Sequence, residues 1–311
     1  MFSKQKTDVC VKILMNAFTI KDLENLTGIK AHTIRIWEQR YSFLKPKRTT
    51  TNIRYYSNEE LKKILNISLL NKYGYKISHI DRMTEPEINE KIIGLNNSLA
   101  QQERVINELI QRMVDMDTES FESSISEYIR IKGIEKAINQ IIFPFLERIG
   151  VLWMTGHINP AQEHLVSNII RQKIIVGIDS VSSHLAVEKT ILCFLPEGEF
   201  HELGLLYIYY LLKSRGVKVL YVGSNVPIDD VQYVIREKKP DYLYTHLTSV
   251  SNGFNFDRFM NQAIRRFENV PFVVSGLLAQ QYEKKMPSQV IFKKSLQEVT
   301  EFIASIGQNE D

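Results

Sequence analysis

The run Glu199-Phe-His-Glu-Leu-Gly204 places a carboxylate two residues before an imidazole and a glycine three residues after it. An imidazole is a good metal donor, and a neighbouring carboxylate orients it. Two further short runs stand downstream, Thr245-His-Leu247 and Ser275-Gly276, where small or polar residues end apolar stretches. Upstream, Trp153 is followed ten residues later by Glu163 and His164. Taken alone, each of these has a plain reading. His201 is a solvated loop histidine, Trp153 plugs a core, and Glu163 suits a helix N-terminus electrically. A third set is basic and hydroxyl-rich: Lys45, Lys47, Arg48 and three threonines, ending in Arg54-Tyr55-Tyr56.

The elements that would position these residues can be read from periodicity. Residues 188–306 alternate five apolar stretches with helical patterns. The strands are expected at 190–195, 218–222, 242–247, 272–275 and 290–292, with helices at about 203–214, 227–238, 254–267, 278–284 and 294–306. Such alternation predicts a doubly wound parallel five-stranded sheet of the flavodoxin-like kind. His201 then lies at its carboxyl edge, where open α/β folds bind ligands. Neither G-x-G-x-x-G after the first strand nor G-x-x-x-x-G-K-[ST] is present, so the usual dinucleotide and P-loop readings lack support. No aspartate ends the third strand as a phospho-acceptor would.

Residues 97–185 read as a four-helix bundle. Asn159-Pro160 starts its fourth helix, and Gln162 stands at capping-box spacing. Residues 84–96, with Pro86 and Gly94, read as a hinge. Residues 17–84 open with a short helix ended by Gly28, then a second helix from Ala31 to Arg40, a helix-turn-helix. Pro46 excludes a helix from the basic stretch, which suits a β-wing, and Ser57-Asn-Glu-Glu60 starts the next helix. Trp37 and Tyr56 are read as core.

Charge follows the same division. Residues 1–84 carry 16 Lys/Arg against 7 Asp/Glu, and the rest carry 23 against 29, so +9 faces −6. A basic head on an acidic body points to nucleic acid for the head alone. Cys10 and Cys193 are too few and too far apart for a disulfide framework or a cysteine zinc site. No apolar run approaches the roughly 18 residues of a membrane span, and no signal peptide is evident, so a cytoplasmic chain with no membrane partner is expected.

The helix-turn-helix, the stretch Thr33-Ile-Arg-Ile-Trp-Glu-Gln-Arg-Tyr41, the wing and Arg54-Tyr-Tyr56 together resemble the MerR family of winged regulators. The resemblance implies a dimer reading double-stranded operator DNA, with Arg35, Arg40, Tyr41, Lys47, Arg48, Arg54 and Tyr55 as contacts. Glu199-x-His201-x-x-Gly204, Thr245-x-Leu247 and Ser275-Gly276 resemble the D-x-H-x-x-G, S-x-L and G-G signature of cobalamin-binding domains. There the histidine is the metal ligand beneath cobalt, and small residues leave room for the displaced nucleotide tail. Glu replaces Asp, Thr replaces Ser, and Ser replaces the first Gly. Trp153 with Glu163-His164 resembles the W-x9-E-H motif of the bundle in light-sensing MerR regulators of the CarH and LitR kind.

That resemblance covers nearly the whole chain. It implies a non-enzymatic transcription regulator, a repressor, with adenosylcobalamin as cofactor and methylcobalamin as the alternative. It also implies a homo-oligomer, dimer or tetramer, that light disassembles. Met154 departs from the family, whose light sensors have a histidine after the tryptophan. A thioether is a poor donor to oxidised cobalt, and His157, three residues on, is offered as a substitute. Cobalamin sensing without photochemistry therefore stands as the second expectation, and a corrinoid methyl carrier as a third. The basic head argues against the carrier.

Overall fold

The computed structural model describes residues 17–49, 52–154, 156–182, 187–248, 254–267, 270–285 and 287–306, leaving out the side chains of residues 151, 153 and 154. The chain divides after Ile170 into two compact units.

The first unit begins with α1 (Ile20–Thr27) and α2 (Ala31–Arg40). Thr19 caps α1, with Asp22 reaching back to the Thr19 N–H in a capping box. Gly28 closes α1 at φ +74°, a left-handed turn that glycine adopts without strain. Then β1 (Lys47–Arg48) pairs antiparallel with β2 (Arg54–Tyr55), the expected wing. Ser57 and Glu60 form the capping box that opens α3 (Asn58–Lys72), which is followed by α4 (Ile77–Ile80).

The stretch expected to be a hinge is instead α5 (Glu85–Ile93). Thr84 caps it with Glu87 in a capping box, and Pro86 falls in its first turn, where a missing N–H does no harm. Ile88 and Ile92 then pack against the cluster of Trp37, Ile67, Leu69, Leu70 and Ile80.

The bundle is α6 (Ser98–Asp115), α7 (Thr118–Lys132), a third helical run and α10 (Pro160–Asp179). The third run is α8 (Ile134–Ala137), a π-helical turn (Ile138–Ile142) and α9 (Phe143–Met154). Phe121 and Phe145 meet at 5.4 Å between ring centres. Asn159 and Gln162 cap α10 as the sequence predicts, and the buried Gln162 amide also donates to Val114 O at 2.8 Å. Asn107 on α6 bonds Leu65 O on α3, tying head to bundle.

The second unit holds β3 (Val187–Pro196), α11 (Leu203–Ser214), β4 (Val217–Val226), α12 (Ile228–Lys238), β5 (Tyr242–His246), α13 (Phe256–Arg266), β6 (Phe272–Ser275), α14 (Leu277–Gln281), β7 (Val290–Lys293) and α15 (Leu296–Ser305). The sheet is parallel throughout, in the order β4-β3-β5-β6-β7. This is the flavodoxin-like order, with the reversal of direction between β3 and β5 that creates a ligand crevice at the carboxyl ends. Phe194, Phe267 and Phe272 fill the core on the α13 face. Among the described residues no helix is long and apolar enough to cross a membrane.

Candidate functional site

The basic face of the first unit follows from local chemistry. α2 buries Ile34 and Trp37 and turns Arg35 and Arg40 outward. The wing exposes Lys47 and Arg48. Arg35, Arg40 and Lys47 have no carboxylate partner among the described residues, as a surface awaiting phosphate would require. Arg48 bonds the Asn52 side chain at 2.7 Å, which braces the wing tip.

Arg54 is held differently: its Nε lies 3.3 Å from Glu38 Oε2 on α2. The same carboxylate accepts from the hydroxyl of Tyr56, which is fully buried as read from the sequence. Burial, reinforced by Glu38, pushes that hydroxyl's pKa far up and keeps it a donor. Arg54, Glu38 and Tyr56 thus fix the wing to α2. Tyr41 stacks on Phe43 at 5.8 Å and is half-buried, as is Tyr55.

The upstream polar cluster belongs to the same unit. The backbone of Trp153 and Met154 closes α9, and the side chains of both lie outside the described residues. Glu163 sits in the first turn of α10, bonded to Ser167 and 3.1 Å from His164 Nδ1. His164 is exposed. His157 Nδ1 lies 3.1 Å from the buried Asp22 Oδ2 of α1 without making a hydrogen bond.

In the second unit, Glu199 and His201 are joined at the carboxyl edge of the sheet. His201 Nδ1 lies 2.7 Å from Glu199 Oε1, and the His201 N–H donates to the same oxygen at 2.8 Å. Glu199 is 3% exposed on its side chain, His201 49%. Burial alone would raise the Glu199 pKa, but the His201 hydrogen bonds bring it below the usual carboxylate range. A charged Glu199 accepting from Nδ1–H makes Nε2 the basic ring nitrogen, the tautomer that coordinates a metal. Asn225 braces this loop by accepting from Gly198 N and donating its own N–H to Glu199 O, both at 2.9 Å. Glu202 bridges Arg171 at 2.6 Å and the Tyr221 hydroxyl at 3.0 Å.

The remaining motif residues divide between the two faces of the sheet. Tyr242 and Tyr244 face Phe302 of α15, and His246 reaches Gly204 in the first turn of α11. Strand alternation turns Thr245 to the opposite face. There its hydroxyl is buried with no hydrogen-bond partner. Ser275 Oγ lies 2.8 Å from His246 Nδ1 and 2.9 Å from the Tyr244 hydroxyl. Leu247 donates to Ser275 O, and a Cβ at Gly276 would meet Leu247 O at 2.3 Å, so these two residues pack backbone to backbone.

His246 and Tyr244 were not singled out from the sequence. The signal available was the alternation itself, since only one of Thr245 and His246 can share a face with Gly204. Burial pushes the His246 pKa down to about 4, so the ring is neutral near pH 7.

A single exposed imidazole is a thin donor set for a bare ion, which takes three or four protein ligands. Among the described residues no group of three His, Cys, Asp or Glu converges. One oriented imidazole does suit a metal that brings its own equatorial macrocycle, as haem shows.

Residues 18–86 match the model of the MerR HTH family of regulatory proteins, and residues 105–176 match that of a B12 binding domain. The chain is 26% identical over 279 residues to the HTH-type transcriptional repressor CarH of Myxococcus xanthus, covering 86% of this chain and 91% of the relative. It is also 26% identical to the repressor CarA of the same organism over 269 residues, covering 85% and 88%. Among solved structures, the monomethylamine corrinoid protein of Methanosarcina barkeri aligns at 10% identity and a TM-score of 0.48, over 66% of this chain and 99% of that one. The chain thus joins a MerR helix-turn-helix head to a B12-binding-type helical module, and over most of its length it is similar to the repressors CarH and CarA.

Proposed function

We propose that this chain is a DNA-binding transcriptional regulator, a repressor, whose hold on operator DNA is controlled by a bound B12-type corrinoid. The observation that carries the corrinoid half is the Glu199–His201 pair, a buried carboxylate holding one presented imidazole at 2.7 Å. The DNA half rests on α2 and the wing, whose exposed arginines and lysine sit on a frame fixed by Glu38.

His201 would be the protein ligand to cobalt, with Glu199 orienting the ring and raising its basicity. When bound, the corrinoid would supply the exchange or light-driven cleavage of a cobalt–ligand bond. Trp153, Glu163 and His164 stand as the first unit's candidate cofactor residues. Lys47 and Arg48 meet phosphates in this reading, while Arg35 and Arg40 approach the major groove from α2. We take an adenosyl corrinoid, tested as adenosylcobalamin, as the form, a dimer or tetramer as the assembly and the cytoplasm as the compartment. The similarity of the chain to two transcriptional repressors supports a regulator over an enzyme.

The test is direct. Duplexes bound by the purified chain are selected from a randomised pool, with and without adenosylcobalamin, in the dark and after green light. The expected result is a recovered pseudo-palindrome whose retention changes with the cofactor. Retention identical in all conditions overturns the reading. Met154 favours a second reading, in which the corrinoid is sensed without photochemistry; retention that follows cofactor but not light selects it.

A further inference from the structure

Cobalamin carries a nucleotide arm whose base is the lower cobalt ligand in the free cofactor. If His201 takes that position, the arm must lie elsewhere below the ring. In an open α/β sheet the room for it is the crevice at the carboxyl ends of the strands, where Gly204 of α11 meets His246 at the end of β5 and Ser275 ends β6 beside it. In this chain that crevice is filled. A Cβ built on Gly204 would stand 2.2 Å from His246 Cδ2 and 2.5 Å from Nε2, so that edge of the imidazole packs against the helix backbone. A flat heterocycle needs about 3.5 Å on each of its faces, and no such gap remains between His246 and α11.

The plug is also tied down. Ser275 Oγ bonds both His246 Nδ1 and the Tyr244 hydroxyl, and the Tyr244 and Ser275 side chains are buried. The three residues form one polar cluster on the α11 face, each partnered within it. Gly204 therefore serves the approach of His246, and Ser275, in place of a glycine, serves as the shared partner.

We propose that this chain takes a corrinoid without a nucleotide arm, of the cobinamide type, in preference to complete cobalamin, because Tyr244, His246 and Ser275 fill the crevice beside His201. Complete cobalamin binds only by displacing His246 and breaking its bond to Ser275. This rests on the corrinoid reading of the same site.

The experiment titrates the purified full chain with aquocobalamin and with diaquocobinamide, reading the absorbance change and the fraction retained on equilibrium dialysis. Wild type is expected to hold cobinamide at least tenfold more tightly than cobalamin. His246→Ala should tighten cobalamin at least tenfold and leave cobinamide within about twofold, which also reports that the variant is folded. Ser275→Gly should narrow the ratio in the same direction. Equal or tighter cobalamin binding by wild type overturns the proposal while leaving the corrinoid reading standing. A ratio unmoved in folded variants also overturns it. If a variant misfolds, the wild-type ratio decides alone. Binding of neither corrinoid removes the corrinoid reading and this proposal together.

Discussion

His157 and His201 each sit beside a buried carboxylate, Asp22 in the first unit and Glu199 in the second, yet the two pairs are built for different work. Asp22 is fully buried, and its Oδ2 already accepts from the Thr19 N–H and hydroxyl at 2.7 Å. His157 is drawn in to 18% side-chain exposure and helps seat α1. Glu199 spends both contacts on one residue, the ring and backbone of His201, and leaves that ring about half exposed. An imidazole–carboxylate pair is therefore a structural clamp or a presented ligand according to which member the carboxylate still has capacity to orient. His157, the proposed stand-in for the family's upper ligand, falls in the first class.

The comparison can be broken in several ways. Asp22→Ala should have the largest effect on stability. It strips the partner from two Thr19 donors and removes the charge beside His157, and should cost the first unit about 3 kcal/mol, measured by denaturant unfolding. A loss under about 1 kcal/mol would show that Asp22 is not a clamp.

A third imidazole, His246, sharpens the contrast because it has no carboxylate bonded to it. Its folded pKa of about 4 lies below the ordinary 6.5. The unfolded chain therefore binds more protons between those values, and stability falls as pH drops from 6.5 towards 4, by about 3 kcal/mol at most. His246→Gln should flatten this part of the pH–stability curve; a slope unchanged by the substitution would contradict a buried neutral ring.

Glu199→Gln should weaken corrinoid retention by about 10- to 100-fold with little change in the unfolding midpoint. Equal damage to both would make Glu199 a clamp like Asp22. His157→Gln is the mirror case, expected to cost about 1 kcal/mol of stability and to leave the corrinoid spectrum alone; a changed spectrum would return His157 to the cofactor. Smallest of all, Arg48→Ala should reduce the salt dependence of DNA binding by about one ion. Arg54→Ala, which also frees Glu38, should disturb the wing itself and weaken binding more.

How much of this could be read from the chain depended on range. Gly28, Ser57-Glu60 and Asn159-Gln162 act within four residues and marked their helix ends correctly. The basic wing and the β–α alternation were equally plain, because composition and period carry them. The Thr84-Glu87 box carried the same signal as Ser57-Glu60, yet Pro86 and Gly94 outweighed it and α5 was read as a hinge. Glu199 and His201 are two residues apart and could be paired on sight. His246 could not, since its partners Gly204 and Ser275 lie 42 and 29 residues away. Which side chain of Thr245-His246 faces α11 is set by sheet register, and the fold of the wing onto α2 hides the Arg54–Glu38 pair from a linear reading.

The π-helical turn at Ile138–Ile142 has its own consequence for the bundle. One residue more than an α-helical turn needs is lodged there, so every later side chain in the run is set back by about 100° from its place in an unbroken α-helix. Phe145 against Phe121, and Arg148 against Asn107 at 2.9 Å, are aimed by that phase. Deleting a single residue from 138–142 would leave a regular α-helix that still aims Phe145 and Arg148 at their partners. The irregular turn takes up one residue without turning the far end of the helix away.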